Sequence, residues 1–146
     1  RREHQLLVGE TNAERIKIEA GSAMVGVNGR AAEIHIRGRD LRQGRPKSII
    51  LGPQDIAEAL EGPIEEIAEF TQRALEDLPP EVSTDICERG IHLTGGGALL
   101  DQLDAELERR VGVKFAVPKE PMRCVVKGTA EVLADLSKRE HLLIKP

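Results

Sequence analysis

Aromatic side chains are nearly missing from this sequence. It has no Trp and no Tyr, and its two Phe are Phe70 and Phe115. The core must therefore be filled by Leu, Ile, Val and Ala, which dominate an apolar content of 40%. The same scarcity removes the stacking platforms that hold single-stranded nucleic acid. A net charge of -4 argues further against general nucleic-acid affinity, which depends on neutralising phosphates. No apolar run approaches the roughly 20 residues needed to cross a bilayer, and no signal peptide is visible. Cysteine is scarce too. Cys87 and Cys124 lie far apart with no CxxC pair, so they are expected as free, buried thiols of a reducing compartment. His4, His35, His92 and His141 show no metal-ligand spacing, and no metal site is expected on this chain.

What is present fits one domain of ordinary size. Charged residues make up 32% of the 146 residues and are well mixed, unlike a disordered chain. The sequence opens on Arg1 rather than Met, and residues 1–9 read as the tail of a helix stopped by Gly9, so sequence upstream is expected. Residues 11–21 read as a helix, with Thr11 and Glu14 in capping-box spacing, Ala13, Ile16 and Ala20 on one face, and Gly21 as its stop. Ala32 to Arg37 alternates with the period of a half-buried strand. Lys47 to Leu51 should pair with it antiparallel across a broad loop. A long helix opens at Gly52-Pro53, with Ile56, Leu60, Ile64, Ile67, Ala74 and Leu78 on its apolar stripe. It should kink or restart at Pro63 and end before Pro79-Pro80. A short helix covers Glu81 to Arg89. The last third alternates as α/β domains do: a strand at Ile91–Thr94, a turn at Gly95-Gly96-Gly97, a helix at Ala98–Arg110, a strand at Val113–Val117, and a final helix from Pro121 to about Ser137.

Two segments point to chemistry. In Leu93-Thr94-Gly95-Gly96-Gly97-Ala98-Leu99-Leu100 a strand leads into three glycines and then a helix. Without Cβ atoms the backbone can approach a ligand closely, and the amides of a following helix favour anions. The plainer alternative is a turn that only lets strand and helix pack. The segment is neither a P-loop, since no GK[ST] follows, nor a GxGxxG dinucleotide fingerprint. In Glu14-Arg15-Ile16-Lys17, Glu14 and Lys17 share a helix face. A carboxylate there can accept from ribose hydroxyls, and a lysine stem can lie along a base. The alternative is a solvated ion pair.

Taken together these segments resemble the MreB family, the bacterial cell-shape actins. Gly9 to Ala23 is similar to the stretch that opens the outer subdomain of that family's second lobe. Glu88-Arg89-Gly90 to Leu100 resembles its adenosine loop. Ile34 to Leu41, the loop containing Pro46, Pro79-Pro80-Glu81 with Asp85-Ile86, and Pro121 with Cys124 to Gly128 continue the likeness in the family's order. Asn12 departs from it, standing where a small or hydroxyl residue is commoner. The resemblance implies an α/β, actin-like ATPase (ribonuclease H-like) fold, present in part. Residues 1–9 would end a helix of the inner subdomain, 10–55 would form a small α+β outer subdomain, and 56–146 would form the C-terminal part of an incomplete inner subdomain with exposed apolar edges. It implies ATP as ligand, with Glu14, Arg15, Ile16, Lys17, Gly95, Gly96, Gly97 and Ala98 on its adenosine half. The phosphate loops, the catalytic acids and the Mg2+ ligands would lie before Arg1, so this chain alone is expected to be inactive. It further implies self-association into filaments, a cytoplasmic place at the inner face of the membrane, contact with that membrane through parts outside this chain, and cell-shape and wall-synthesis partners.

Other readings stand beside this one. The chain could come from another ATPase of the actin superfamily, of sugar-kinase or chaperone type, or be a protein-interaction module whose glycines are purely structural. Arg37, Arg39, Arg42, Arg45 and Lys47 crowd around Asp40, either as a solvated loop or as a contact for a neighbouring subunit or an acidic partner. His92 reads as a packed or edge histidine, and Asp101 and Asp104 as surface charges.

Overall fold

The computed structural model describes residues 3–24, 33–139 and 142, and its first element departs from the sequence expectation. Within the described part of residues 1–9 the helix tail is replaced by a strand, β1 (Leu6–Leu7), which pairs antiparallel with Asp40 and Arg39. Gln5 has a φ of 50°, a left-handed conformation that a right-handed helix does not run through. The strand is favoured because it buries Leu6 against the sheet and helix that follow.

α1 (Glu10–Ala20) begins one residue earlier than expected, and the Thr11–Glu14 capping box does not form. Gly9 is the N-cap, so Thr11 already sits inside the helix, where its hydroxyl cannot cap the start. Ile16 and Ala20 are buried, while Ala13 is exposed. Gly21 ends the helix, its amide donating to the Lys17 carbonyl at 2.9 Å.

β2 (Ile34–Asp40) and β3 (Pro46–Leu51) pair antiparallel from Ile34↔Leu51 to Arg39↔Pro46, completing a sheet in the order β1-β2-β3. The broad loop contracts to a tight turn because Asp40 closes it. Its carboxylate accepts the backbone amides of Arg42 at 2.7 Å and Gln43 at 2.9 Å, and its own amide donates to the Arg45 carbonyl. Those two amides, with the Lys47 ammonium 3.3 Å away, hold the Asp40 carboxyl below its ordinary pKa.

α2 (Pro53–Glu76) is the longest element. Pro53 sits at its start, where a missing amide costs nothing, and the Asp55 carboxylate accepts the Gly52 amide at 2.7 Å. The helix is not restarted at Pro63, which lies inside it. The inward stripe runs Ile56, half-buried Leu60, Ile64 and Ala68. Steps of four keep it on one ridge, so the expected Ile67 and Ala74 face solvent. α3 (Pro80–Arg89) and β4 (Ile91–His92) follow, then α4 (Leu103–Val111) and β5 (Phe115–Ala116). β4 and β5 are parallel and shorter than expected, with α4 in the crossover between them. The expected final helix is split at Asp135 (φ -142°, ψ 63°) into α5 (Cys124–Ala134) and α6 (Leu136–Arg139). The cysteines are free but not buried as expected: Cys87 is exposed and Cys124 half-buried.

Two apolar clusters result. Leu6, Ile16, Ala20, Ile36 and Ile56 form the first. Ala23, Ile64, Ala68, Leu103, Leu107 and Phe115 form the second. Leu60 packs against both, and the expected division at 55/56 falls in the first turn of α2. Val125, Val126 and Leu133 of α5 stay exposed and form an open apolar face.

A charged clamp ties α2 to α4. Glu106 is buried and accepts from Arg109 at 2.7 Å and Arg110 at 2.6 Å. Arg110 then reaches Glu61 at 2.7 Å, and Glu65, on α2. The hydrogen bonds from Arg109 first, and then from Arg110, hold the Glu106 carboxyl at about 2 against an ordinary 4.5. The folded pKa is the lower one, so the stabilisation is complete above about 4.5 and is lost as pH falls towards about 2. Glu106→Gln should cost roughly 2–3 kcal/mol, less than breaking an isolated buried pair because Arg110 keeps two partners. Denaturant unfolding at neutral pH and at pH ~3 checks this: the gap between wild type and variant narrows at the acid end.

Candidate functional site

The two segments singled out by sequence are carried by α1 and by the turn after β4. On α1, Glu14 and Lys17 are exposed and paired at 2.7 Å, and Arg15 is paired with Glu19 at 2.8 Å. Ile16 turns the other way, into the first cluster, so its side chain fixes the helix rather than facing solvent. Arg15 also lines a cavity of about 570 Å³ with Asn12, His35, Ile36, Arg37 and Ser48.

The glycine turn differs from its expected form. Gly95 has a φ of 79°, which a residue with a Cβ adopts only under strain. Its amide donates to the Pro121 carbonyl at 2.9 Å, holding the turn against residues 121–123. The glycines do not lead into an α-helix at Ala98. They enter a single 3-10 turn, Gly97–Leu99, and α4 starts only at Leu103, after Gln102 in a left-handed conformation with φ 59°. The Leu99 and Leu100 amides bond back to the Gly96 and Gly97 carbonyls. The close approach allowed by missing Cβ atoms remains, while the axis of α4 does not point from these glycines. Ala98 is buried beneath the turn.

A seam not legible in the sequence joins the two segments. Ser22 and Asp101 form a parallel bridge, the Ala23 amide donates to the Asp101 carbonyl at 2.8 Å, and Gly21 lies against Leu100. A Cβ on Gly21 would stand 2.3 Å from the Lys17 carbonyl oxygen and 3.0 Å from Leu100 Cδ1. The end of α1, one turn beyond Lys17, is thus anchored to the chain directly after the glycines. Asp101, read from sequence as a surface charge, is half-buried at this seam, and among the described residues its buried Oδ2 has no hydrogen-bond partner. Its position after Leu99 and Leu100 gave no sign of this, because the contact is made 79 residues away in the chain. His92 is exposed in β4.

An exposed carboxylate and ammonium stand on α1, and Gly95 and Gly97 have open space where a Cβ would be. These residues do not include a carboxylate set for a metal. Among the described residues, Glu3, His4 and Asp55 bring ligand atoms within 4.8 Å of one another, but that group lies beside the start of α2, where Asp55 already caps the helix.

Comparison with known proteins gives these residues a context. The family model described as MreB/Mbl protein matches residues 1–141. The chain is 45% identical over 133 residues to the cell shape-determining protein MreB of Escherichia coli strain K12, covering 91% of this chain and 38% of that protein. It is 42% identical over 138 residues to the cell shape-determining protein Mbl of Bacillus subtilis strain 168, covering 94% and 41%. The crystal structure of MreB5 of Spiroplasma citri bound to ADP matches with a TM-score of 0.87 at 28% identity, over 97% of this chain and 42% of that one. A second structure of that protein, bound to AMPPNP, matches with the same TM-score of 0.87. The fold is accordingly part of an actin-like architecture, as expected. The chain spans between 38% and 41% of the length of these two curated relatives.

The seam and the turn can be perturbed separately. Gly21→Ala should destabilise by roughly 1–3 kcal/mol through overpacking, and Gly95→Ala by about 1–2 kcal/mol through its left-handed backbone. Denaturant melts of the two variants and of the double variant check this, with near-additive losses expected.

Proposed function

The chain belongs to the MreB/Mbl family, and on that premise we propose that it is part of an ATP-binding bacterial actin homologue and carries the adenosine half of the nucleotide site. The observation that carries this reading is the seam from Gly21–Ala23 to Leu100–Asp101. It fixes the Glu14/Lys17 helix to the chain beside the glycine turn, so two distant stretches of sequence act as one pocket wall. ADP and AMPPNP bound to the Spiroplasma citri relative support the same ligand class here.

The roles follow from chemistry. Glu14, a carboxylate acceptor, takes hydrogen bonds from ribose hydroxyls. Lys17, already paired with it, partly neutralises the carboxylate and lays its stem against the base. Arg15 adds positive charge on the neighbouring face, and Ile16 anchors the helix. Gly95, Gly96 and Gly97 let the backbone approach the nucleotide without side chains between, over the floor made by Ala98. Mg2+ and the phosphates belong to parts of the family fold outside this chain, and Mg2+ when bound supplies charge neutralisation at the transferring phosphoryl group. In the whole protein we place slow ATP turnover, assembly into filaments at the inner face of the cell membrane, and guidance of wall synthesis by partners there. Among the described residues no helix is long and apolar enough to cross a membrane.

Calorimetry with ADP on a full-length protein carrying this sequence tests the pocket. Glu14→Ala should weaken binding at least tenfold, the loss expected for a hydrogen bond to a charged group worth ~1.5–3 kcal/mol. Gly96→Val should abolish binding, because a branched side chain there fills the space through which the bare backbone would approach the nucleotide. Unchanged affinity in both variants overturns the assignment. The 146-residue chain alone should show no ATP turnover and should bind more weakly than the roughly -8.2 kcal/mol of a micromolar complex. Turnover that disappears on Glu14→Ala would refute this.

A further inference from the structure

The segment before β1 and the first turn of α2 bring together side chains that the nucleotide reading leaves unused. Glu3, His4 and Asp55 each offer one ligand atom, and these atoms lie within 4.8 Å of one another. Among the described residues no other three His, Cys, Asp or Glu side chains do so. Local spacing hides the group, because Glu3-His4 and Asp55 stand far apart in the chain. The Asp55 carboxylate is divided between two tasks. Its Oδ2 accepts the Gly52 amide at 2.7 Å, and its Oδ1 faces His4 Nε2 at 3.6 Å. The imidazole is 38% exposed as a whole. Its Nε2 is nevertheless buried and, among the described residues, has no hydrogen-bond partner. The chain that carries it is held in place, with the Lys47 ammonium donating to the His4 carbonyl at 3.4 Å and the Leu41 amide to the Gln5 carbonyl at 2.8 Å.

The 3.6 Å gap between Nε2 and Oδ1 decides what the pair is suited to hold. It is longer than the roughly 2.7–3.2 Å of an N–H···O hydrogen bond, so the two atoms do not share a proton well. Zinc binds imidazole nitrogen and carboxylate oxygen at about 2.0–2.2 Å, which places two ligand atoms about 3.3–3.6 Å apart along a tetrahedral edge. The two atoms thus stand at the separation that an ion between them needs. Glu3 is exposed, so its carboxylate can close on the ion by changing rotamer alone. The group borders a cavity of about 610 Å³, which leaves room for water at a fourth position. The start of α2 carries partial positive charge, and the carboxylates of Glu3, Asp55 and Glu58 on this cavity wall outweigh it. The cap made by Oδ2 also fixes Oδ1, as hydrogen bonds commonly orient the carboxylates of metal sites. One imidazole with two carboxylates suits Zn2+ better than the all-oxygen cations Ca2+ and Mg2+.

We infer that Glu3, His4 and Asp55 form a zinc site, outside the residues assigned to the nucleotide, that staples the segment before β1 to the first turn of α2. β1 pairs through Leu6 and Leu7 alone, so an ion held just ahead of it fixes where that strand enters the sheet. The same ion ties the sheet to α2 at the end where Ile56 closes the first apolar cluster. A bare His4–Asp55 ion pair, about as exposed on one side as on the other, contributes little and takes up no metal.

Calorimetry with Zn2+ on an untagged full-length protein carrying this sequence, without nucleotide and with Mg2+ in excess to fill sites for hard cations, tests the assignment. The unsubstituted protein should bind Zn2+. Co2+ in its place should give the intense visible band of a tetrahedral site, without the near-ultraviolet sulfur charge-transfer band that Cys87 or Cys124 would produce. His4→Gln and Asp55→Asn should each weaken Zn2+ binding at least tenfold, since changing even a residue behind a ligand costs about 10–100-fold. Both nearly keep side-chain size, and the Asn carbonyl still accepts the Gly52 amide. Glu66→Gln, which alters an exposed acid of α2 outside the group, should leave the affinity unchanged. Zn2+ should also raise the melting temperature of the unsubstituted protein, and that shift should be lost in His4→Gln and Asp55→Asn, whose cooperative melting without metal shows that they fold. A protein that takes up no Zn2+ overturns the inference. So does full affinity in His4→Gln, which leaves a plain ion pair at this place. A sulfur band with Co2+ overturns it in favour of the cysteines, and an octahedral spectrum in favour of a hydrated ion on exposed carboxylates. Because nucleotide is left out, the zinc result stands or falls apart from the adenosine assignment.

Discussion

The stripe Ile56–Leu60–Ile64–Ala68 on α2 is buried against two different sets of side chains, and most of the fold depends on that double burial. Its first turn closes the cluster built by β1, α1 and β2, and its middle closes the cluster built by α4 and β5. Each large aliphatic side chain buried this way contributes about 1.5–3 kcal/mol. Loss of the stripe would leave a three-stranded sheet and a two-stranded sheet with nothing between them. The clamp from Arg110 to Glu61, Glu65 and Glu106 acts at the same junction. It fixes the rotation of α4 on α2, which apolar contact alone leaves loosely specified. With aromatic residues so few, Phe115 is the one ring that joins the aliphatic core.

Much of this was legible in the sequence, for identifiable reasons. The alternation of Ile34 and Ile36 and the spacing of Ile56, Leu60 and Ile64 report burial directly, because periodicity reflects which face is covered. Gly21 and the Pro79-Pro80 stop marked helix ends correctly. The failures also have causes. Thr11 and Glu14 had the capping-box spacing, but a cap depends on which residue begins the helix, and that was set by Gly9. Leu6 and Leu7 looked helical because two leucines carry no period, and only pairing with Arg39 and Asp40 makes them a strand. The Gly95–Gly97 turn was found, but its path into a 3-10 turn was not, because Gln102 carries no sequence mark of a left-handed backbone.

The candidate site shows the same division. Glu14, Lys17 and the three glycines could be named from residue types, and the family resemblance placed them in one pocket. What physically joins them is the contact of Gly21 with Leu100 and of Ser22 with Asp101, made between segments far apart in sequence. Local patterns carry no trace of such a contact. The buried Oδ2 of Asp101, without a partner among the described residues, lies on that seam, and a polar group in such a position strongly favours any donor brought within reach.

Pro63 takes on a further meaning in this arrangement. It lacks the amide that would bond to the Ala59 carbonyl, so the missing rung of α2 falls between Ile56, held by one cluster, and Ile64, held by the other. A rod clamped at both ends bends where its own bonding is weakest. The Arg110 guanidinium spans that gap, reaching Glu61 on one side of Pro63 and Glu65 on the other. The weakest point in the bonding of α2 is thus the point where a neighbouring helix braces it from outside, so a side chain of α4 stands in for the rung the proline removes.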